Sequence, residues 1–338
     1  MNLSYEQIRE ITLGAVNVVN GNEGISFLRF TEEQQSLYAE RTENFWKRSF
    51  CTAGIKLSFR TNSKNLSIKI ITSSLNTRDY FSVDVFANNK SIGYIDNFSD
   101  SKLPDDYTAH GFPLGEFSKS FQLDSPETTV CIHFPWSVKA VLQELSIDDN
   151  SFIEPVKPVA KLLAFGDSIT QGYDALRPSN RYITKLADHL GAEEINKAIG
   201  GERFFPELAL LHDSFSPEYI VVAYGTNDWN TLERSVFQAN CKTFFKALVE
   251  NYPASKIIAI APIWRANSKE QRPYGEFENL HKDISTITAQ YKNITVVNGI
   301  DFVPKETELF ADHILHPNDA GFEFYYKKLV EKLPFTAK

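Results

Sequence analysis

The hydrophobic pattern of the chain changes near residue 150, and this change limits the folds that the sequence can adopt. Before that point, apolar residues occur in short stretches that alternate with polar residues or are rich in β-branched residues. After it, near-continuous apolar runs alternate with segments of helical periodicity. The stretch between them, at about residues 148–158, carries two prolines and several polar residues, as linkers do. The pattern therefore predicts two domains, at residues 1–150 and 151–338.

The first domain is predicted to be an antiparallel β-sandwich that follows a short helix. Residues 3–13 fit the helix, because Ser4 and Gln7 have the spacing of a capping box, and Ile8 and Ile11 share one face. The strand-like stretches that follow are "GISFLRF", "AGIKLSFRT", "NLSIKIITS", "YFSVDVFAN", "KSIGYI", "TTVCIHFP" and "VLQELSI". Many short strands with turn signals between them are typical of an all-β sandwich.

The second domain is predicted to be an α/β domain with a five-stranded parallel sheet. Its apolar runs are "AKLLAFGDS", "EEINKAIGG", "EYIVVAYGTND", "SKIIAIAPI" and "NITVVNGID". Helical patterns such as "NRYITKLADHLG" and "VFQANCKTFFKALVENYP" separate them. Strands that are apolar along their whole length indicate a sheet that is covered by helices on both faces.

Composition and charge limit the binding partners and the cellular compartment that we expect for this chain. The net charge is -8 and residues of both signs are interspersed, which argues against a nucleic-acid partner. No basic stretch with an apolar core opens the chain, and no apolar run approaches the ~18 residues of a membrane helix. We therefore expect a cytoplasmic protein that does not bind membranes. Cys51, Cys131 and Cys241 are far apart and odd in number, which favours reduced buried thiols over a disulfide framework or a metal site.

Polar residues gather where the predicted parallel strands end. In open α/β sheets, ligands bind at the carboxyl ends of the strands. The first three strands end at residues 166–168, 199–201 and 225–228, and the segment "ADHILHPND" precedes the last helix. These four clusters are expected to meet at one edge of the sheet.

The residue types in these clusters suit acyl transfer through a serine. The Ser168 hydroxyl needs a base, and the His316 imidazole titrates near neutral pH and can serve as one. A carboxylate such as Asp312 on the other ring nitrogen would fix the tautomer. The N–H groups of Ser168 and Gly201 and the amide of Asn227 could hold the oxyanion, each donor being worth ~3 kcal/mol of transition-state stabilisation.

The segments "FGDSIT", "NKAIGGERF", "YGTND" and "HPNDAGF" together resemble the sequence blocks of the SGNH, or GDSL, hydrolase superfamily. The resemblance covers about residues 160–338 and places the family's Ser, Gly, Asn and His at Ser168, Gly201, Asn227 and His316. It implies a flavodoxin-like sheet and an esterase, lipase or carbohydrate deacetylase that uses no metal or other cofactor. Several carbohydrate esterases of the superfamily carry an N-terminal jelly-roll or β-sandwich, which matches the predicted first domain.

One position departs from the family pattern. The family usually has Asp three residues before the histidine, but here that residue is His313, and Asp312 stands four before His316. Either a one-residue bulge keeps Asp312 in contact with His316, or the acid is displaced and a Ser–His dyad operates. We predict the triad with Asp312.

Structural roles compete with the catalytic ones. Ser168 could be only a helix N-cap. We expect Asp167 to brace its loop by hydrogen bonds, Gly200 to serve packing, and Asp228 to be structural. Asn227 could form a turn pair with Asp228, but we assign it to the oxyanion.

Three further residues near the predicted edge are candidates for substrate binding. Trp229 follows "GTND", and Trp264 and Arg265 end the fourth strand, so an indole could stack on a sugar and the guanidinium could bind an oxygen. Packing is an equal alternative for all three. The spacing of His313 and His316 also fits a metal pair, but no further ligands are nearby, so we predict no metal site.

These observations predict a serine esterase for small acyl groups, with acetyl on an oligosaccharide or glycoside as the expected substrate. The sugar assignment rests on analogy with the two-domain carbohydrate esterases. One alternative is a broad short-chain carboxylesterase or lysophospholipase-like acylhydrolase. Another is a carbohydrate-binding protein whose hydrolase domain is inactive.

Overall fold

The computed structural model describes residues 1–99, 103–124 and 126–333. The helices are α1 (Tyr5–Ile11), α2 (Glu32–Arg41), α3 (Glu43–Arg48), α4 (Ser168–Gln171), α5 (Tyr182–His189), α6 (Pro206–Leu210), α7 (Thr226–Thr231), α8 (Arg234–Asn251), α9 (Asn279–Thr288) and α10 (Asp319–Lys332). The strands are β1 (Thr12–Leu13), β2 (Asn17–Gly21), β3 (Gly24–Leu28), β4 (Lys56–Thr61), β5 (Asn65–Ser73), β6 (Ser82–Ala87), β7 (Lys90–Asp96), β8 (Glu116–Gln122), β9 (Thr128–His133), β10 (Lys139–Ile147), β11 (Glu154–Pro155), β12 (Ala160–Gly166), β13 (Ala192–Asn196), β14 (Tyr219–Ala223), β15 (Lys256–Ala261) and β16 (Ile294–Asn298).

The described residues between 1 and 155, called the N-terminal part below, form two antiparallel sheets. One sheet has the order β1-β4-β9-β6-β7, with β11 beside β4, and the other has the order β2-β3-β10-β5-β8. Burial alternates along β5, so that Leu66, Ile68 and Ile70 point into a core that also contains Phe59 and Val83 of the other sheet. The predicted antiparallel strands are thus present. The proposed division at residue 150 stays a prediction, although antiparallel pairing extends to β11.

The first helix follows its predicted cap, but the two other α-helices described in the N-terminal part were not predicted. Ser4 and Gln7 form the capping box, and Ile8 and Ile11 are buried. Helices α2 and α3 lie in "EEQQSLYAERTENFWKR", where charged residues surround the few apolar ones and hide any helical period. Their signal was the second capping box, in which Thr31 and Gln34 exchange hydrogen bonds.

The parallel sheet has the order β13-β12-β14-β15-β16 within the described part of the chain, and every neighbouring pair in it is parallel. Numbered along the chain, this is the 2-1-3-4-5 order of flavodoxin-like folds. Helices α5 and α10 cover one face of the sheet, and α8 and α9 cover the other. The carboxyl ends of β12, β13 and β14 are therefore neighbours, as the predicted site requires.

Buried hydrogen bonds join the N-terminal part to the parallel sheet. Arg29 is 0% exposed. Its Nη1 donates to the carbonyl oxygens of Asn196 and Ala198 at 2.8 and 3.0 Å, and its Nε donates to that of Cys51 at 2.7 Å. Because Asn196 ends β13, this arginine fixes the start of the loop that carries the predicted oxyanion glycine.

None of the helices in residues 1–99, 103–124 and 126–333 combines the length and apolar character needed to cross a membrane.

Candidate active site

Ser168 stands at the junction between the first parallel strand and a short helix. Strand β12 ends at Gly166, and Asp167 caps α4 by accepting a hydrogen bond from the Ile169 N–H at 3.0 Å. Burial raises the pKa of Asp167 to about 7. Ser168 is the first residue of the helix, so its N–H has no partner within the helix. Its side-chain Oγ lies 2.8 Å from Nε2 of His316.

The segment before α10 brings Asp312 into contact with His316. Asp312 Oδ2 lies 2.7 Å from Nδ1 of His316, and Asp312 Oδ1 accepts the N–H groups of Ile314, Leu315 and His316. His313 has a φ of +57°, a left-handed conformation that takes up the extra residue. The geometry is thus the bulged alternative of the two that the sequence left open. The His313 side chain is exposed, and its Nδ1 lies 3.3 Å from the carbonyl oxygen of Thr307.

The charges around His316 favour its protonated form. Burial alone would lower the pKa of His316, but hydrogen bonds and negative charge from Asp174 and Asp312 raise it to about 9. Burial alone would also raise the pKa of Asp312, whereas the bond to His316 holds it well below its ordinary value. The site therefore contains an imidazole that readily accepts a proton from a neighbouring hydroxyl.

Hydrogen-bond donors lie at the ends of the strands beside Ser168. Gly201 has a φ of +86° and is exposed, which leaves its backbone open to an approaching group. Asn227, in α7, donates one amide hydrogen to the Glu202 carbonyl at 2.9 Å, which leaves the second amide hydrogen available. Gly200 has a packing role, because a Cβ there would lie 2.5 Å from the Tyr173 ring.

The residues between these donors are held by buried carboxylates. Asp228 is 0% exposed and accepts the Phe204 N–H at 3.2 Å, so it ties the loop after Gly201 to α7. Burial raises the pKa of Asp228 to about 7. Glu202 is also buried and pairs with Arg41 of α2 at 2.6 Å. These contacts agree with the structural role expected for Asp228.

Residues 164–324 match the model of the GDSL-like lipase and acylhydrolase family. This part of the chain is a GDSL-like hydrolase domain. The matched range runs from β12 into α10 and so includes Ser168, Asp312 and His316. A comparison of the sequence with curated proteins found no match.

Solved structures share the fold of the hydrolase domain together with the N-terminal part. The salicylyl-acyltransferase SsfX3 from a tetracycline biosynthetic pathway is 17% identical, with a TM-score of 0.78 over 95% of this chain and 93% of that one. A protein described as a GDSL-like lipase from Bacteroides ovatus is 17% identical, with a TM-score of 0.70 over 96% and 95%. A family two carbohydrate esterase from Cellvibrio japonicus is 15% identical, with a TM-score of 0.64 over 98% and 97%. At these identities the likeness shows a shared fold.

The structure adds a second carboxylate to the hydrolase domain that the sequence did not reveal. Asp174 is 0% exposed, and its Oδ2 lies 3.3 Å from Nδ1 of His316. It stands only six residues after Ser168, in "QGYDAL", where no pattern marks it. Its partner Arg78 comes from the N-terminal part, and the contact between them depends on tertiary packing.

Asp174, Asp312 and His316 also have the composition of a small metal site, since one ligand atom of each lies within 4.8 Å of the others. However, Asp312 is at hydrogen-bond distance from Nδ1 of His316, and Arg78 already neutralises Asp174. A metal ion would have to displace the Nδ1 proton and compete with the guanidinium. The residues therefore fit a proton-sharing group better than a metal centre.

The predicted substrate-binding residues of the hydrolase domain have mainly packing contacts. Trp229 is 0% exposed, and its Nε1 donates to the Gly275 carbonyl at 2.8 Å, so a sugar cannot reach its face and the packing alternative is favoured. Trp264 is half-buried against Phe310. Arg265 is 7% exposed and donates to Thr226 Oγ1 at 3.0 Å, which fixes the start of α7.

Proposed function

We propose that the chain is a serine esterase that acts through an acyl-enzyme. Ser168 Oγ attacks the ester carbonyl while His316 Nε2 takes its proton. The N–H groups of Ser168 and Gly201 and the free amide hydrogen of Asn227 stabilise the oxyanion. His316 then protonates the leaving alcohol, and the acyl group stays on Ser168. Water, deprotonated by His316, releases the acid and restores the serine.

One observation carries this proposal, namely the continuous chain of contacts from Ser168 through His316 to Asp312. The Oγ–Nε2 distance is 2.8 Å and the Nδ1–Oδ2 distance is 2.7 Å. A nucleophile, a base and a group that orients the base are what serine catalysis needs, within hydrogen-bond reach of one another. A helix N-cap role for Ser168 does not account for this alignment, because Asp167 already caps α4.

We infer that the substrate is a small acyl ester, with acetyl on a carbohydrate as the first candidate. The similar structures include family two carbohydrate esterases that align with most of this chain, among them the Cellvibrio japonicus enzyme. We further propose that the N-terminal part is a jelly-roll β-sandwich domain, because its two antiparallel sheets share one core. Its helix α3 approaches Gly201, where a Cβ would lie 3.4 Å from Arg48 Nη1, so this part would form one wall of the substrate site.

The test is acetate release by the wild type, Ser168→Ala and the control Ser36→Ala, an exposed serine on α2. Substrates would be p-nitrophenyl acetate, a longer p-nitrophenyl ester and acetylated xylo-oligosaccharides. We expect the wild type and the control to deacetylate the sugar and Ser168→Ala to be inactive. Turnover of the aryl esters alone would favour the broad carboxylesterase. No turnover, with no labelling of Ser168 by a fluorophosphonate, would favour an inactive binding protein.

A further inference from the structure

One ring nitrogen of His316, Nδ1, faces two carboxylates. Nδ1 lies 2.7 Å from Asp312 Oδ2 and 3.3 Å from Asp174 Oδ2. A neutral imidazole that accepts a proton at Nε2 carries one hydrogen on Nδ1. Asp312 is the nearer acceptor of that hydrogen, so Asp174 must act on the ring mainly through its charge and as a second acceptor.

Asp174 is held in place by the N-terminal part. Arg78 Nε donates to Asp174 Oδ1 at 2.8 Å, and Arg78 Nη2 donates to Oδ2 at 3.1 Å. Tyr80 donates its hydroxyl to Oδ1 at 2.6 Å, and Tyr107 donates to the Asp174 carbonyl at 3.2 Å. The backbone at Asp174 has a φ of +72°, which Asp and Asn tolerate better than most residues. The donors from Arg78 and Tyr80 define the position of the buried carboxylate and keep it ionised, and the bond from Tyr107 holds its backbone.

We propose that Asp174 is a positioning residue for His316, and that Arg78 of the N-terminal part sets how strongly it acts. This inference rests on the proposed function, since it assigns a role toward the base of that reaction. Asp312 orients the ring, and Asp174 adds a second negative charge on the same side. Arg78 offsets part of that charge, so the imidazolium formed during attack is stabilised but can still return its proton to the leaving alcohol.

The charges that face the ring decide the direction of each expected effect. Among the described residues, the titratable or charged groups that face the ring or its carboxylate partners are Asp174, Asp312, Arg78, Tyr80, Tyr107, Asp167 and Tyr173, whose ring centre is 5.5 Å from that of His316. Asp167 is the same in every variant compared, so its charge does not account for a difference between them. Removing the negative charge of Asp174 makes the imidazolium less stable, and removing the positive charge of Arg78 makes it more stable. The two changes therefore act on the base in opposite directions, whereas structural damage alone has no reason to do so.

The test is the pH profile of kcat/KM for p-nitrophenyl acetate, in the wild type, Asp174→Asn, Arg78→Met and the control Asp84→Asn. The rate rises with pH as His316 becomes a free base. We expect the acid limb to move down by about one pH unit in Asp174→Asn and up by a similar amount in Arg78→Met. Asp84 is also fully buried but contacts Ser82 and Ser179, so its variant should keep the wild-type limb.

An unchanged acid limb in folded, active Asp174→Asn and Arg78→Met would overturn the inference, as would a shift of both limbs in the same direction. If Asp174→Asn does not fold, Arg78→Met decides alone. The inference predicts that its acid limb moves up, whereas a disrupted site in which His316 loses its carboxylate neighbours would move the limb down. The proposed function fails separately, if the wild type has no activity or if Ser168→Ala keeps it.

Discussion

Asp228 offers a quantitative test of the electrostatics beneath the candidate oxyanion loop. One of its oxygens accepts the Phe204 N–H, and the other, Oδ2, has no partner among the described residues. Burial raises its pKa to about 7 from the ordinary 3.8. Replacing it with Asn keeps the acceptor for Phe204 and removes the charge. The substitution therefore isolates the cost of ionising this carboxyl group in the fold.

The size and sign of the effect follow from proton linkage. Between pH 3.8 and about 7 the folded protein holds a proton that the unfolded chain has lost, so the free energy of unfolding falls as pH rises. Over pH 5.5 to 8.5 this group should cost the wild type about 2 kcal/mol, from about 1.5 pH units at 1.36 kcal/mol each. The Asn variant has no such proton, so the loss should be absent.

Urea-induced unfolding of the wild type and Asp228→Asn at pH 5.5 and 8.5 measures this difference. Titrating groups that do not interact with Asp228 contribute alike to both proteins, and burial outweighs the charge of Asp167 in raising the pKa of Asp228, so the variant should gain about 2 kcal/mol relative to the wild type as pH rises. The free energy of unfolding of the variant should also differ from that of the wild type by an amount that does not depend on pH, because the new NH₂ group replaces an oxygen without a partner among the described residues. Asp105→Asn, at an exposed position, is the control. A stability difference that is the same at both pH values would refute the reasoning.

Three more predictions concern the reaction. Asn227→Ala should lower kcat about 100-fold with little change in KM, since one oxyanion donor is worth ~3 kcal/mol. An unchanged kcat with a KM about 100-fold higher would contradict the assignment. The acid limb of the wild-type kcat/KM profile should lie above pH 6.5, because the two carboxylates raise the pKa of His316 to about 9, and a limb below 6.5 would oppose that electrostatic account. Dialysis against EDTA should leave esterase activity unchanged, and a loss restored by a divalent ion would point to metal at Asp174, Asp312 and His316.

The sequence was most informative where one local pattern decides the structure. Continuous apolar runs predicted the parallel strands, and their ends placed Ser168 and Asn227 at one edge of the sheet. The capping box of Ser4 and Gln7 predicted α1. The contact between Asp312 and His316 was predicted only as one of two alternatives, because a bulge depends on the backbone conformation of a single residue, His313.

Features that depend on long-range packing could not be predicted. Asp174 becomes a neighbour of His316 only when residues far apart in the chain meet, and Arg78 reaches it from another sheet. Strand β8 was not predicted. Most positions of its sequence "EFSKSFQ" are exposed and polar, so it has too few apolar residues to show a strand pattern. For Trp229 the sequence left substrate binding and packing open, and only its burial in the fold favours packing.

The buried Arg29 has a consequence for how the chain unfolds. A fragment that begins at the predicted linker would expose the carbonyl oxygens of Asn196 and Ala198 to water, which can replace the hydrogen bonds of Arg29 but does not hold the two carbonyl groups in one place. The hydrolase domain would then lose the fixed start of its glycine loop, and Asp174 would lose Arg78. We therefore expect heating to melt both parts in one cooperative transition. A substitute for the N-terminal part would have to bring its own arginines to the same positions.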